Sequence, residues 1–292
     1  MQFSICMPVY NGEAFISHAI ASVQAQTEAD WELIIVDNAS TDSTWDLIQR
    51  EASKDQRIRV FRNQNNLGLA GNCNECLRRA QGEWLGFLPA DDIYKPEVLA
   101  RIRACGNDVL LWFHAHESVW ENGRRDIIRA FPEERRFRLG TLAEVFYARG
   151  NVFGELSCVF AKRASAQELA DGFRENRSTL DVDLWMRIAL QNKSLFAVFS
   201  PEVLSEASIH DASESSRYNR EGRNWVDFFA FLEAHSRHSW PFAIRLRQAL
   251  RSAYCLLKHG GKLPRGEFRI AARTVVNLFI SAFRFPDGAT PP

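Results

Sequence analysis

The sequence predicts an α/β fold in which a mostly parallel, twisted sheet is flanked by helices and followed by a C-terminal helical extension. Three features support this class. Short apolar runs alternate with segments whose apolar residues recur at helical spacing, and short polar loops join them. The apolar runs are unbroken, which is typical of strands buried on both faces of a parallel sheet. The chain has 292 residues, 46% of them apolar, which is enough for one large domain and an appendage.

Four strands alternate with helices in the first third of the chain. The first strand begins at Phe3 and stops at Pro8 and a turn, and the next segment places apolar residues from Phe15 to Val23 on one helix face. The other predicted strands cover residues 33–36, 58–61 and 84–88. A helix over residues 42–54 and another ending near residue 80 lie between them. This alternation predicts right-handed crossovers between parallel strands.

Two adjacent carboxylates, Asp91 and Asp92, directly follow the fourth apolar run. In open α/β sheets, ligands bind beyond the carboxyl ends of the strands, so both side chains lie where chemistry is expected. Hard oxygen ligands at such a place suit Mg²⁺ or Mn²⁺ bound to a diphosphate. Capping of the helix near Pro96 explains the same residues equally well when they are considered alone.

Several short motifs follow one another in a fixed order. They are Pro8-Val9-Tyr10-Asn11, Val36-Asp37-Asn38-Ala39-Ser40-Thr41-Asp42-Ser43-Thr44, Asn66-Leu67-Gly68 with Asn72, Gly82-Glu83-Trp84 and Ala90-Asp91-Asp92. In this order and spacing they resemble the family 2 glycosyltransferases, which have the GT-A fold. Residues 171–175 and 181–187 are similar to the acceptor-side segments of that family, and Ile209-His210 with Ser213 is similar to the segment that closes over the diphosphate.

The resemblance covers about residues 2–215 and implies a division of the chain. A GT-A-like catalytic domain is expected over residues 1–215, with a nucleotide-binding half at 1–95 and an acceptor half at 96–215. A basic amphipathic helical extension is expected over residues 216–292.

The resemblance also implies a function and the residues that perform it. The expected activity is metal-dependent, inverting transfer of a sugar from a nucleotide-diphosphate donor to an acceptor hydroxyl, in polysaccharide, lipopolysaccharide or other glycoconjugate assembly. The acceptor is expected to be a glycan or a lipid-linked molecule. Mg²⁺ or Mn²⁺ is assigned to Asp91, Asp92 and His210, and the catalytic base to Asp181. The donor is assigned to Pro8, Tyr10, Asn11, Asp37, Asp42, Asn72 and Asp91.

Two positions depart from the family pattern. Pro89 stands where many relatives carry the first carboxylate of the metal motif, and Leu180 stands where they carry a glutamate before the catalytic aspartate. The second departure supports an alternative function, a catalytically silent relative that binds a nucleotide-sugar or a protein partner without transfer. An assay of transfer or donor hydrolysis separates the two.

The choice of Asp181 over Asp183 as the base follows from helix geometry. Residues two apart on a helix point to nearly opposite sides, so both carboxylates cannot serve one acceptor hydroxyl. Leu184 and Ile188, four apart, bury one face, while Asp181 projects from the helix start. Asp183, in the first turn, favours the helix dipole.

Other candidate sites are explained by structure alone. Cys73 and Cys76 have the spacing of half a zinc site, but no second such pair completes it, and the six cysteines form no disulfide framework. His114 and His116 are interpreted as strand residues, and a cleft-facing position for one of them stays open. The first turn lacks the Gly-x-Gly-x-x-Gly pattern of a dinucleotide-binding fold.

Charge is divided unevenly along the chain. From Arg217 onward there are thirteen Lys and Arg against five Asp and Glu, so this tail carries +8 and the rest −8. Its apolar residues recur at helical spacing among the arginines, which predicts about three amphipathic helices. Peripheral docking on an anionic membrane, slightly favoured, and packing against the catalytic domain or a second subunit both fit the pattern. Nucleic acid is not an expected partner, because no reading motif is present.

The expected location follows from two absences in the sequence. No signal peptide is expected, because residues 2–9 are needed for the first strand, and no apolar run approaches the ~20 residues of a spanning helix. We therefore expect a cytoplasmic protein or one that is peripheral on the inner face of the membrane.

Overall fold

A computed structural model describes residues 1–149, 151–165, 179–211 and 265–283, with the shorter pieces 169, 171–174, 213, 216, 246, 249–250, 252–254 and 256. The chain divides into two compact units. The first comprises Met1–Leu142, Asn151–Asn176 and Leu180–His210, and the second comprises Ala143–Gly150, Arg177–Thr179 and Asp211–Pro292. The predicted functional division at residue 215 stays a prediction.

Ten strands and seven α-helices lie within the described residues. The strands are β1 (Phe3–Val9), β2 (Trp31–Asp37), β3 (Ile58–Arg62), β4 (Trp84–Phe87), β5 (Ile93–Tyr94), β6 (Val109–Trp120), β7 (Arg125–Ile128), β8 (Arg135–Arg138), β9 (Val159–Lys162) and β10 (Phe196–Ile209). The helices are α1 (Ile16–Gln24), α2 (Thr44–Ala52), α3 (Gly68–Arg79), α4 (Val98–Arg103), α5 (Leu139–Arg149), α6 (Leu180–Gln191) and α7 (Arg265–Phe283), with a 3₁₀ turn at Leu156–Cys158.

The strands form one sheet in the order β3-β2-β1-β4-β9-β6-β10-β5, with β7 added to β6 and β8 added to β10. The pairs β3–β2, β2–β1 and β1–β4 are parallel, which confirms the four predicted βα units. Beyond β4 the sheet is mixed, because β9 pairs antiparallel with both β4 and β6. The α/β fold with flanking helices is therefore confirmed. Its parallel pairs are those among β3, β2, β1 and β4 and the separate pair of β6 with β10.

The core lies on both faces of β1. All seven residues of this strand are buried, as the unbroken apolar run predicts. On α1, the predicted positions Ile16, Ala19, Ile20 and Val23 are each at most 1% exposed. Phe15 is the exception, because it precedes the first turn of the helix and remains 38% exposed. Phe15 therefore lies just before the helix with whose apolar face the sequence pattern groups it.

The predicted amphipathic tail is described in part. Helix α7 coincides with one of the predicted tail helices, and it buries Ala271, Thr274, Val275 and Leu278 on one stripe while Arg269 is exposed. Of the other two predicted tail helices, at residues 225–232 and 243–247, only Leu246 is described, and it is helical. No helix in the described part of the chain is long and apolar enough to cross a membrane.

A buried carboxylate ties the amino ends of the parallel strands together. Glu32 on β2 is 1% exposed, and its Oε1 accepts hydrogen bonds from the Ser4 hydroxyl at 2.6 Å and the Gln81 backbone N–H at 2.7 Å. Its Oε2 accepts one from Arg59 at 2.6 Å. These bonds link β1, β2, β3 and the loop that leads into β4, so one side chain helps to fix the strand register.

Replacing Glu32 tests this role. The amide of Glu32→Gln keeps the volume but turns a donor toward groups that themselves donate, so we expect a loss of about 1.5–3 kcal/mol in the free energy of unfolding. The matched control is Glu202→Gln, which breaks an ion pair with Arg101 whose side chains are 46% and 55% exposed. It should change stability by less than about 1 kcal/mol. Urea unfolding measures both, and equal effects would contradict the assignment.

Candidate active site

The loops that leave the carboxyl ends of β1 and β2 are joined by hydrogen bonds. The backbone N–H of Asn11 donates to the Ser40 hydroxyl at 2.9 Å, and the Asn11 side-chain oxygen accepts from the Thr41 backbone N–H at 2.9 Å. Asp42 accepts a bond of 2.6 Å from the Thr44 hydroxyl. Three of the predicted donor-binding residues, Tyr10, Asn11 and Asp42, thus lie near one another, since Tyr10 adjoins Asn11 and Asp42 follows Thr41. Tyr10 is 49% exposed.

Three other predicted donor residues are buried. Pro8 lies within β1, and Asp37 is fully buried with its Oδ2 at 3.0 Å from Nε of Arg62. Asn72, 2% exposed, donates to the carbonyl of Val36 at 3.0 Å. Asp37 and Asn72 therefore hold the strand ends in place, and the donor contacts predicted for them stay predictions.

Ala39 adopts a left-handed backbone conformation in the loop after β2, with φ of 63°. This conformation costs a residue with a Cβ atom about 1–2 kcal/mol, whereas glycine adopts it freely. The loop nevertheless keeps this shape, because Asp37 accepts a bond from the Ser40 N–H and Asn38 donates to the side chain of Asn66.

We therefore expect Ala39→Gly to stabilise the protein. Relief of the left-handed strain is offset in part by the greater freedom of glycine in the unfolded chain, which leaves a gain of about 0.5–1 kcal/mol. Thermal unfolding measures it, with Ala52→Gly, at the end of α2, as a control that should destabilise. Destabilisation by Ala39→Gly would show that the loop carries no strain.

Asp91 and His210, which are 119 positions apart, meet in the structure. Nε2 of His210 lies 2.9 Å from Oδ2 of Asp91. The side chain of His210 is 10% exposed and that of Asp91 is 26% exposed. The structure thus brings together two of the three predicted metal ligands.

Asp92 is placed differently from its neighbour. It is 6% exposed, and its Oδ2 accepts a bond of 2.7 Å from the Ser157 hydroxyl while its Oδ1 accepts one of 3.0 Å from the Ser208 N–H. Burial, and next to it the charge of Asp91, raises the pKa of Asp92 well above its ordinary value. Both oxygens are thus engaged within the fold, where they hold the 3₁₀ turn and the end of β10 beside Asp91. Direct ligation by Asp92 stays a prediction.

Asp181 lies in the first turn of α6. Burial raises the pKa of its carboxyl to about 6, against backbone N–H donors that lower it. A carboxylate with a pKa just below neutrality is suited to accept a proton near physiological pH.

Glu155 is a site residue that sequence reasoning missed. It precedes the 3₁₀ turn, and burial together with the charges of Asp181 and Asp91 raises its pKa to about 7. No motif marks it, and the only signal is one carboxylate within the otherwise apolar run from Val152 to Leu156. The charges of Asp181 and Asp91 thus both act on Glu155, and this concentration of acidic side chains makes the region attractive to a cation.

The donor atoms present fit a divalent cation. Two adjacent ligands in an octahedral shell of 2.0–2.1 Å lie about 3 Å apart, which matches the separation of Asp91 and His210. An imidazole ligand favours Mn²⁺ over Mg²⁺, which takes oxygen ligands. Within the part of the chain that the structure describes, no three His, Cys, Asp or Glu side chains form a complete metal site. Oxygen atoms of a bound diphosphate and water would complete the shell.

Asp183 has a structural environment. It is 2% exposed, its Oδ2 accepts a bond of 3.0 Å from Nε of Arg187, and Arg187 also donates to the carbonyl of Gly172. The predicted interaction with the helix dipole is therefore accompanied by a buried ion pair. The two aspartates, two residues apart, lie in different surroundings.

The remaining candidates from the sequence are buried. Cys73 and Cys76 are free thiols inside the fold. His114 and His116 are 2% and 3% exposed, and burial lowers the pKa of each to about 4. Neither histidine has an exposed ring, which favours their interpretation as strand residues.

The chain belongs to glycosyl transferase family 2, since residues 4–159 match the sequence profile of that family. It is 30% identical to the putative glycosyltransferase EpsE of Bacillus subtilis over an alignment of 283 residues. That alignment covers 96% of this chain and 90% of EpsE. The resemblance noted from the motifs is thereby confirmed, and the protein is a glycosyltransferase.

Other relatives align over less of their length. The putative teichuronic acid biosynthesis glycosyltransferase TuaG of Bacillus subtilis is 40% identical over 98 residues, which is 34% of this chain and 39% of TuaG. A GalNAc(5)-diNAcBac-PP-undecaprenol beta-1,3-glucosyltransferase of Campylobacter jejuni is 26% identical over 200 residues, 68% of this chain and 64% of that enzyme.

Solved structures confirm the GT-A fold. Residues 1–349 of TarS from S. aureus, in complex with UDP-GlcNAc, superpose with a TM-score of 0.74 at 19% identity, over 97% of this chain and 82% of that one. The mannosyltransferase PcManGT from Pyrobaculum calidifontis, in complex with GDP-Man and Mn²⁺, superposes with a TM-score of 0.62 at 17% identity, over 96% of this chain and 86% of that one.

Proposed function

We propose that this chain transfers a sugar from a nucleoside diphosphate to an acceptor hydroxyl in a single, inverting step. The observation that carries the proposal is that the Asp181 carboxyl, whose pKa is raised to about 6, lies near the Asp91–His210 pair, since the charges of Asp181 and Asp91 both act on Glu155. A base and a binding place for a diphosphate are the two parts that such a transfer needs.

The donor binds at the carboxyl ends of the parallel strands. The exposed ring of Tyr10 offers a face for the nucleobase, and the loops joined through Asn11 offer backbone and side-chain groups for the ribose. The residues assigned to the donor are Pro8, Tyr10, Asn11, Asp37, Asp42, Asn72 and Asp91. Asp37 and Asn72 serve this site by fixing the strand ends.

Asp91 and His210 hold Mn²⁺ or Mg²⁺. The metal, when bound, neutralises charge on the departing diphosphate. The presence of Mn²⁺ with a nucleotide-sugar in the PcManGT structure supports this assignment. Asp92 supports Asp91 from the buried side through its bonds to Ser157 and Ser208.

Asp181 is the catalytic base. Its carboxylate takes the proton of the acceptor hydroxyl while that oxygen forms a bond to the anomeric carbon. The bond between the anomeric carbon and the diphosphate oxygen breaks, and the diphosphate leaves with the electron pair. Attack from the side opposite the leaving group inverts the configuration at this carbon.

The acceptor is a growing glycan or a lipid-linked sugar. The Campylobacter jejuni relative, a glucosyltransferase that acts on an undecaprenol-linked substrate, supports this class, as does TuaG, a putative enzyme of teichuronic acid biosynthesis. An enzyme that uses a lipid-linked acceptor acts at the membrane surface, and we assign this protein to the inner face. The net charge of +8 after residue 216 favours contact with anionic lipid there.

Asp181→Asn tests the base. We expect turnover to fall by roughly 10²–10⁴ with the KM for the donor little changed, because a general base acts only in the chemical step. The matched control is Asp183→Asn, which weakens the ion pair with Arg187 and should lower stability with only a modest loss of turnover. Steady-state kinetics with Mn²⁺ and a panel of nucleotide-sugars measure both. The opposite order of effects would place the base elsewhere, and a native chain inactive toward the whole panel would favour the silent-relative alternative.

The pH dependence provides a second readout for Asp181. Native turnover should fall about tenfold per pH unit below pH 6, where the base becomes protonated, and the turnover of Asp181→Asn should not show this fall.

The free energy of unfolding should change in the opposite direction and rise as the pH falls. The folded protein binds this proton more tightly than the unfolded chain, so stability contributed by the protonated carboxyl is full below about pH 4 and lost above pH 6. Asp181→Asn should therefore be more stable than the native chain at pH 7.5, which shows that lost turnover is not unfolding.

Replacing the metal ligands tests the other half of the proposal. Asp91→Asn should abolish Mn²⁺-dependent binding of a nucleoside diphosphate while leaving the fold intact, because its carboxylate is partly exposed. The double variant Asp91→Asn, Asp92→Asn should also lose binding. It should in addition be less stable, because Asp92→Asn weakens the hydrogen bonds with Ser157 and Ser208. Calorimetry with UDP and GDP in the presence and absence of Mn²⁺ measures binding. Full activity in excess chelator would refute the metal site.

A further inference from the structure

Phe15 lies in contact with His210. The two rings are stacked, with centroids 4.9 Å apart and planes inclined by 22°. The sequence pattern groups Phe15 with the apolar face of the first helix, but Phe15 precedes α1 and is 38% exposed, whereas the apolar residues on that face of α1 are at most 1% exposed. Phe15 therefore adds little to the core, and its contact with His210 needs a separate explanation.

The imidazole of His210 is held on two sides. Asp91 bonds to Nε2 at 2.9 Å, and the Phe15 ring covers one face. A histidine at the end of a strand has two side-chain torsions to fix, and a stacked ring restricts both. The stack thus keeps Nε2 directed at Asp91.

The position of Phe15 follows from the loop network at the carboxyl ends of β1 and β2. Its backbone N–H donates to the carbonyl of Gly12 at 3.0 Å, and the N–H of Gly12 donates to the Thr44 hydroxyl at 2.8 Å. That hydroxyl donates to Asp42 at 2.6 Å. A Cβ atom at position 12 would lie 2.7 Å from Cγ2 of Val9, so any larger residue would displace the Val9 side chain.

We propose that Phe15 is a positioning residue that couples the nucleoside-side loops to the metal pair. Its ring holds the His210 imidazole beside Asp91, so that both ligands are preorganised for a divalent cation when a nucleoside diphosphate fills the loops. This rests on the proposed metal function of Asp91 and His210. A partner that orients a metal-bound histidine acts on metal affinity, although it never touches the ion.

Titration of Mn²⁺ by electron paramagnetic resonance, in the presence of saturating UDP, tests the proposal without an activity measurement. Phe15→Ala should weaken Mn²⁺ binding by about 10- to 100-fold. Phe15→Tyr, which keeps the ring, should bind like the native chain, and Phe15→Leu, which keeps apolar volume without a planar face, should resemble Phe15→Ala. The control is Ile127→Ala on β7, a 53% exposed apolar residue outside the site, which should change nothing.

A double variant separates positioning from a general structural effect. In a His210→Ala background, Phe15→Ala should cause no further loss of Mn²⁺ binding, because its effect passes through the imidazole. Native binding by Phe15→Ala, equal losses in the tyrosine and alanine variants, or an additive loss in the double variant would each overturn the role of Phe15. If His210→Ala itself binds Mn²⁺ normally, the proposed metal site is wrong and the coupling fails with it.

Discussion

The pairing of β1 with β2 on one side and β4 on the other determines where the chemistry of this protein lies. The register pairs Val9 with Asp37 and Cys6 with Phe87, so three parallel strands end at the same edge. Every residue of β1 is buried, and a shift of the register by one position would move each of its side chains to the opposite face of the sheet. The loops that carry Asn11, the Asp37–Asp42 segment and Asp91 are therefore brought together by core packing, and their own hydrogen bonds refine an arrangement already fixed.

Repulsion among carboxylates is the second constraint. Burial accounts for most of the raised pKa values of Asp92, Glu155 and Asp181, and neighbouring carboxylates contribute to the first two. Ionised acids held together in this way lower the stability of the folded chain at neutral pH. A cation bound beside Asp91 relieves part of that repulsion, so affinity for metal and the stability of the site are linked. The same burial gives Asp181 a pKa close to the pH at which a base is useful.

Local patterns predicted the first four strands and the helices between them, whereas the site residues were assigned through the family resemblance and stay predictions. Alternating apolar runs and helical spacing are short-range signals, and they placed β1 to β4 and α1 to α3 within a few residues. Contacts between distant segments have no such signal, so the 2.9 Å contact of Asp91 with His210 was expected only through the family resemblance. Phe15 was misplaced because helical spacing does not show at which residue a helix begins. Glu155 was missed because its environment, created by folding, raises its pKa, and no motif marks it.

Asp91 and His210 are fixed by opposite means, and this difference bears on how the site responds to a ligand. Asp92, which adjoins Asp91, is held from the buried side by hydrogen bonds from Ser157 and Ser208. His210 is stacked on Phe15, which belongs to a loop that a nucleotide bound at the proposed donor site would contact. Because linkage is reciprocal, a nucleotide that orders the loop strengthens metal binding by the same factor as metal strengthens nucleotide binding.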